Sequence, residues 1–134
     1  MQGVDNYPAS IVGYLSGGDT AGSQSMADSI TRAQTLCPQS AIIMSGYSQG
    51  AQLVHNAAKM LPAETMSKVS SVVTFGDPNQ KSAVANVDAS RAKVYCHVGD
   101  SICEDGDLIL LQHLTYGTLD ADDAAGFMVR TAYP

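Results

Sequence analysis

Ala41-Ile42-Ile43-Met44-Ser45-Gly46-Tyr47-Ser48-Gln49-Gly50-Ala51 runs from an apolar stretch, through Gly-Tyr-Ser-Gln-Gly, into an alanine-rich segment suited to a helix. In that setting Gly46-x-Ser48-x-Gly50 matches a nucleophile elbow, a strained strand-to-helix turn that exposes a serine hydroxyl. Both glycines are expected to be steric necessities, because side chains there would collide with the closely apposed strand and helix. Five residues are a weak signal by themselves. Their place between an apolar run and a helix gives them weight.

Working outward, Ala41 to Ser45 reads as a buried strand. Gln49 to Leu61 reads as a helix with Leu53, Val54, Ala57, Ala58 and Met60 on its apolar side, stopped by Pro62. Upstream, Met26, Ala27, Ile30, Ala33 and Leu36 recur at helical spacing over Ser23–Leu36, with Ser23 or Ser25 as cap and Cys37-Pro38 as stop. Residues 1–24 hold Gly3, Pro8, Gly13, Gly17, Gly18 and Gly22 and read as a short strand followed by loop. Downstream come a strand over Val69–Phe75, a polar loop over 79–91, a strand over Ala92–Cys96, a short apolar segment over Asp107–Leu111 and a last helix over Ala121–Val129. Strands alternating with helices predict an α/β fold: a three-layer sandwich with a mainly parallel central sheet flanked by helices. No linker divides the chain, so residues 1–134 are expected to form one domain.

The composition narrows the partners. A net charge of −6 with only seven Lys and Arg argues against nucleic acid and against docking to anionic lipid by charge. No apolar run approaches the ~20 residues that span a bilayer. Met1-Gln2-Gly3-Val4-Asp5 lacks the charged and apolar regions of a signal peptide. Cys96 and Cys103 flank the turn-like Val98-Gly99-Asp100, and composition alone leaves them as either a disulfide or two thiols. A bridge there would contribute roughly 2–3 kcal/mol by chain entropy. Cys37 is then the odd cysteine.

A serine nucleophile needs a base and an acid, each on a loop where a strand ends. His55, two turns into the helix after the elbow, is expected at the surface. His97 follows the strand holding Val94 and Tyr95, and can pair with Asp77 or Asp88. His113 follows Leu108-Ile109-Leu110-Leu111. Asp77 and Asp100 both follow strands, whereas Asp105 and Asp107 sit in a Glu-Asp-Gly-Asp cluster expected to be a solvated turn. On the residues alone, Asp100 with His113 leads and His97 stays open. No His or Cys pair has metal-ligand spacing apart from the neighbours Cys96 and His97.

Taken together, these stretches resemble the cutinase family. Cys37-Pro38 with Gly46-Tyr47-Ser48-Gln49-Gly50-Ala51 is similar to its nucleophile region, Cys96-His97-Val98-Gly99-Asp100-Ser101-Ile102-Cys103 to its acid loop, and His113-Leu114-Thr115-Tyr116-Gly117 to its histidine loop. The resemblance runs from about Gln2 to about Met128. It implies an α/β-hydrolase fold and a serine esterase without cofactor or metal, with Ser48 as nucleophile, His113 as general base and Asp100 as the acid that orients it. It also implies that the backbone N–H of Gln49 donates to the oxyanion, that Cys96 and Cys103 form a disulfide around the acid, and that the setting is extracellular.

Two parts of the family pattern have no counterpart here: an opening strand and loop that complete the oxyanion hole, and a cysteine partner for Cys37. The expectation is a domain lacking roughly its first third, with reduced activity, or with dimerisation through the uncovered sheet edge or Cys37. Leu108, Leu110, Leu111 and Leu114, together with Tyr47, are expected to bind substrate. An aliphatic rim suits a cutin polyester or short- to medium-chain aliphatic ester better than a sugar ester, so an acetylxylan esterase is the alternative. A catalytically weak remnant acting as a binding or interaction protein is the reading of another class.

Overall fold

The computed structural model describes residues 1–134. Three strands, β1 (Ile42–Tyr47), β2 (Val69–Phe75) and β3 (Ala92–Tyr95), form one parallel sheet in the order β1-β2-β3. β2 is central. Its run Val-Ser-Ser-Val-Val-Thr-Phe is buried or half-buried at every position, as befits a strand covered on both faces. The pairings Tyr47 with Phe75 and Phe75 with Tyr95 bring all three strands to a common C-terminal end. In parallel sheets that end is where ligands are bound.

Two helices, α2 (Thr20–Leu36) and α3 (Gln49–Met60), cover one face. Met26, Ala27 and Ile30 of α2 meet Leu53, Val54, Ala57 and Ala58 of α3, with Met44 of β1 and Val72 of β2 beneath them. The short α4 (Ala63–Ser67) adds the fully buried Met66. Opposite, Ala124 of α6 (Ala121–Ala132) packs with Val73, Tyr95 and with Tyr116 of the preceding α5 (Tyr116–Leu119). The expected three layers are therefore present. Side chains such as Leu53 and Val54 are wholly excluded from solvent, and truncating a buried leucine of this kind costs about 2–5 kcal/mol.

The first 24 residues differ from their reading. They hold no strand. Ile11–Leu15 form a short helix, α1, whose cap Ser10 accepts from Gly13 N–H, and α2 starts at Thr20. Its cap is Asp19, whose carboxylate accepts from Gly22 N–H at 2.7 Å, rather than Ser23 or Ser25. Gly22 looked like a breaker, yet it lies inside α2 for a packing reason: a Cβ there would come within 2.8 Å of Tyr7 and of Leu53. The apolar segment before His113 also has no regular element up to Leu110, with a 3-10 turn over Leu111–Leu114.

Candidate active site

The chain leaves β1 at Tyr47, turns through Ser48 and enters α3 at Gln49. Ser48 holds φ +56° and ψ −121°, the left-handed side of the map that a residue with a Cβ rarely occupies. Its N–H donates to the Phe75 carbonyl of β2 at 2.9 Å, which anchors the strained turn to the sheet. Gly46 is required: a Cβ there would lie 2.3 Å from the Gly50 carbonyl oxygen. Gly50 is not, since a Cβ at that position meets nothing within 4 Å. The steric expectation therefore holds for the first glycine of the elbow and fails for the second, because position 50 points away from β1 once α3 has begun. Gln49 opens α3, so its backbone N–H has no partner within the helix.

Beyond β3, the loop closed by the Cys96–Cys103 disulfide carries Asp100. This side chain is fully buried and accepts three hydrogen bonds: from Tyr116 Oη at 2.5 Å and His113 Nδ1 at 2.8 Å on one oxygen, and from Ile102 N–H at 3.0 Å on the other. Burial pushes its carboxyl up, but the bonds from Tyr116, His113 and Ile102 outweigh it and hold Asp100 below the usual carboxylate range. The same environment, burial first and the neighbouring carboxylate second, raises the Tyr116 hydroxyl and keeps it a donor. A carboxylate only accepts, so His113 Nδ1 carries the proton of that bond, and in the neutral ring Nε2 is the acceptor. His113 is 1% exposed, and its Nε2 has no hydrogen-bond partner, Ser48 Oγ included.

Two residues hold the histidine in place. Tyr47 stacks on the His113 ring at 4.9 Å and its hydroxyl donates to the His113 carbonyl at 2.8 Å. Behind the ring is Gly76, at φ +55°, where a Cβ would lie 2.5 Å from His113 Cε1. Neither Gly76 nor Tyr116 was singled out from sequence for this site. Glycine directly after an apolar strand was the available signal for the first.

The other histidines and acids are used elsewhere. His55 is a correction: it is 2% exposed, and its Nε2 bonds Asp77 at 2.9 Å. Thr74 Oγ1 and Asn79 N–H complete the shell of Asp77, whose carboxyl is raised by burial but brought down further by His55, Thr74 and Asn79. This pair ties α3 to the end of β2. His97 pairs with Asp120 at 2.6 Å, with neither Asp77 nor Asp88. Asp105 takes an exposed ion pair with Lys81 at 3.0 Å. No group of three or more His, Cys, Asp or Glu side chains is placed to hold a metal ion.

Two concavities flank Tyr47. One of about 360 Å³ is lined by Tyr47, Phe75, His113, Leu114, Tyr116 and Ala121 among others. The larger, about 570 Å³, reaches Ser48 and Gln49 and takes Tyr7, Ile11, Tyr14, Ile102 and Ile109 into its wall. Of the residues read as substrate-binding, Tyr47 and Leu114 line these spaces. Leu108, Leu110 and Leu111 line neither and are exposed, while their neighbour Ile109 faces the serine side. The contribution of α1 to this wall is not legible in the sequence, because Gly13 within it and Gly17-Gly18 after it read as loop.

The family model described as Cutinase matches residues 1–132. A cutinase of Botryotinia fuckeliana is 55% identical over 132 residues, covering 98% of this chain and 64% of the relative. The solved Trichoderma reesei cutinase, in complex with a C11Y4 phosphonate inhibitor, superposes with a TM-score of 0.93 at 49% identity, covering 99% of this chain and 59% of that one. An acetylxylan esterase at 20% identity and a TM-score of 0.68, covering 95% of this chain and 79% of its own, shares the fold. The chain thus spans 64% of the length of the curated relative. By the match of its whole length and by its fold, the chain belongs to the cutinase family.

Proposed function

We propose that the chain acts as a serine esterase on carboxylic esters, with Ser48 as nucleophile, His113 as general base and Asp100 as the acid that fixes the imidazole. The observation that carries this is the buried His113–Asp100 bond, which commits Nδ1 to donation and leaves Nε2 as the acceptor a serine proton requires. Ser48 Oγ attacks the ester carbonyl while His113 Nε2 takes its proton. The tetrahedral intermediate collapses, the proton passes from His113 to the departing alcohol, and an acyl-serine remains. Water, deprotonated by the same nitrogen, then releases the acid and restores Ser48. The Gln49 N–H stabilises the oxyanion. Hydrogen bonds of this kind are often unmade in the unliganded enzyme and tighten with substrate, which accommodates the unpartnered Nε2.

The substrate class follows from the walls. Ile11, Leu15, Ile102 and Ile109, with Tyr7 and Tyr14, make the wall on the serine side largely apolar, which favours short- to medium-chain aliphatic esters, including cutin polyester, over acetylated xylan. No helix is long and apolar enough to cross a membrane, and a disulfide around the acid suits an oxidising, extracellular setting. The exposed Cys37 thiol and the edge strand β1 are the two places through which copies would associate. A second reading, a binding protein without turnover, draws on the missing Ser48–His113 bond.

An organophosphonate decides between them. Covalent labelling of Ser48, abolished in Ser48→Ala, supports the esterase, and an unlabelled folded chain supports the binding protein. A p-nitrophenyl ester series from acetate to octanoate then tests the substrate class, since strict preference for acetate contradicts the aliphatic assignment.

A further inference from the structure

His97 forms a second histidine–carboxylate pair beside the site, on the loop that carries Asp100. Its Nε2 lies 2.6 Å from Asp120 Oδ2 and its Nδ1 lies 2.8 Å from the Gln112 carbonyl oxygen. Both partners are pure acceptors, so both ring nitrogens must carry protons for the two bonds to form, and the ring is then an imidazolium. The Thr115 hydroxyl, 3.2 Å from Nδ1, donates to the same Gln112 carbonyl. The ring stacks on Tyr116 at 4.0 Å, and the His97 backbone N–H donates to Tyr116 Oη at 2.9 Å. That hydroxyl in turn donates to Asp100.

Asp120 supplies an independent sign. It joins α5 to α6 with helical backbone angles (φ −118°, ψ −10°), so its side chain does not cap α6 and is free to turn toward the acid loop. Its carboxylate is given to His97 instead. The other arm of the same imidazole holds the carbonyl of the residue just before His113.

We propose that His97, held by Asp120, is a positioning residue for the His113–Asp100 pair, clamping the Gln112 carbonyl on one side and the Tyr116 ring and hydroxyl on the other. The clamp works only while both His97 nitrogens are protonated, so the alignment of His113 is coupled to the charge on His97. The charged and titratable groups around that ring are Asp120, Asp100 and Tyr116. Burial pushes its pKa down, but the Gln112 carbonyl and the Asp120 carboxylate outweigh this and hold it above the ordinary imidazole value. The role rests on the esterase reading for its catalytic meaning, though the clamp itself does not need Ser48 to be active.

The test compares wild type, His97→Phe, which keeps a ring over Tyr116 without donors, and Asp120→Asn, which keeps shape without charge. Steady-state hydrolysis of p-nitrophenyl butyrate is read alongside the histidine ring resonances by NMR over a pH series. The expected result for His97→Phe is a fall in kcat of about 10- to 100-fold with KM within about 2-fold, and a shifted or broadened His113 Nδ1–H signal. For Asp120→Asn, the pH at which His97 loses its proton falls, and the decline of kcat on the alkaline side moves with it. A folded His97→Phe with wild-type kcat and an unchanged His113 Nδ1–H signal overturns the proposal. Should His97→Phe fail to fold, an Asp120→Asn profile identical to wild type overturns it equally. Failure of the esterase reading is seen separately, as absence of phosphonate labelling at Ser48 in wild type, and the His113 resonance still decides the clamp.

Discussion

Tyr47 holds His113 at two points, stacking on its ring at 4.9 Å and donating its hydroxyl to the His113 backbone carbonyl at 2.8 Å. The residue before the strained serine thereby sets the histidine that would deprotonate it. Removing only the hydroxyl, in Tyr47→Phe, should lower stability by about 1 kcal/mol, the usual net value of one such bond, and leave turnover within a few-fold. Tyr47→Ala also removes the stack and the wall between the two concavities, and should lower kcat much further. Ester kinetics and thermal unfolding of both variants check this ordering.

Gly76 makes a sharper prediction. Alanine there has to adopt φ +55° and bring a Cβ within 2.5 Å of His113 Cε1. The backbone strain costs on the order of 1–3 kcal/mol, and the imidazole must move. Gly76→Ala should lose about 100-fold or more in kcat, since a displacement of an ångström at a reacting group is enough for that. By contrast Gly50→Ala, which meets nothing within 4 Å, should fold and turn over normally. Equal damage from the two substitutions would contradict the geometry of the elbow.

Stability against pH should fall on both sides of a plateau. The Asp100 and Asp77 carboxyls are held below their usual range, burial being outweighed by their hydrogen bonds. Their contribution is complete above the unfolded carboxylate value of about 3.9 and is lost as pH falls through the lowered folded values. His97 has the opposite sign, being raised. Its contribution is complete below the unfolded imidazole value of about 6.5 and is lost as pH rises through the folded one. Melting temperatures across pH should show the acid limb flattened in Asp100→Asn and the alkaline limb flattened in His97→Phe.

The buried His55–Asp77 pair should matter to folding alone. Truncating one partner, as in His55→Ala, leaves the Asp77 carboxylate buried without its main donor and should cost about 3–5 kcal/mol, read as a large drop in melting temperature. Any activity loss should follow the unfolded fraction.

Reducing the Cys96–Cys103 bridge, or replacing both cysteines by serine, should cost about 2–3 kcal/mol from the seven-residue separation. Because Asp100 lies inside that loop, activity should decline before global unfolding, which parallel assays of hydrolysis and circular dichroism can separate.

These residues also mark how far sequence could lead. β2 is rich in valine, bounded by a glycine turn, and Val69–Phe75 was legible to the residue. The last helix was legible in place but runs three residues further, to Ala132. His55 was not legible, because periodicity assigns one buried face to a helix. α3 packs on both α2 and the sheet and buries polar Gln49, Gln52 and His55 as well as its apolar side. α1 is hidden by Gly13, which serves close approach rather than flexibility, since a Cβ there would lie 2.9 Å from the Gln49 amide oxygen. Asp100 leads Asp77 on sequence alone, but the partner that occupies Asp77, His55 across 22 residues, is a contact no local pattern encodes.

β1 has a strand partner on one side only and ends at the residue before Ser48. An extended segment laid along its other side, from this molecule's own kind or from another, would run its backbone up to the proposed reacting centre. Self-association and turnover would then be read from one concentration series: specific activity that varies with protein concentration in a Cys37→Ser chain would point to the β1 edge as the place where assembly reaches the chemistry.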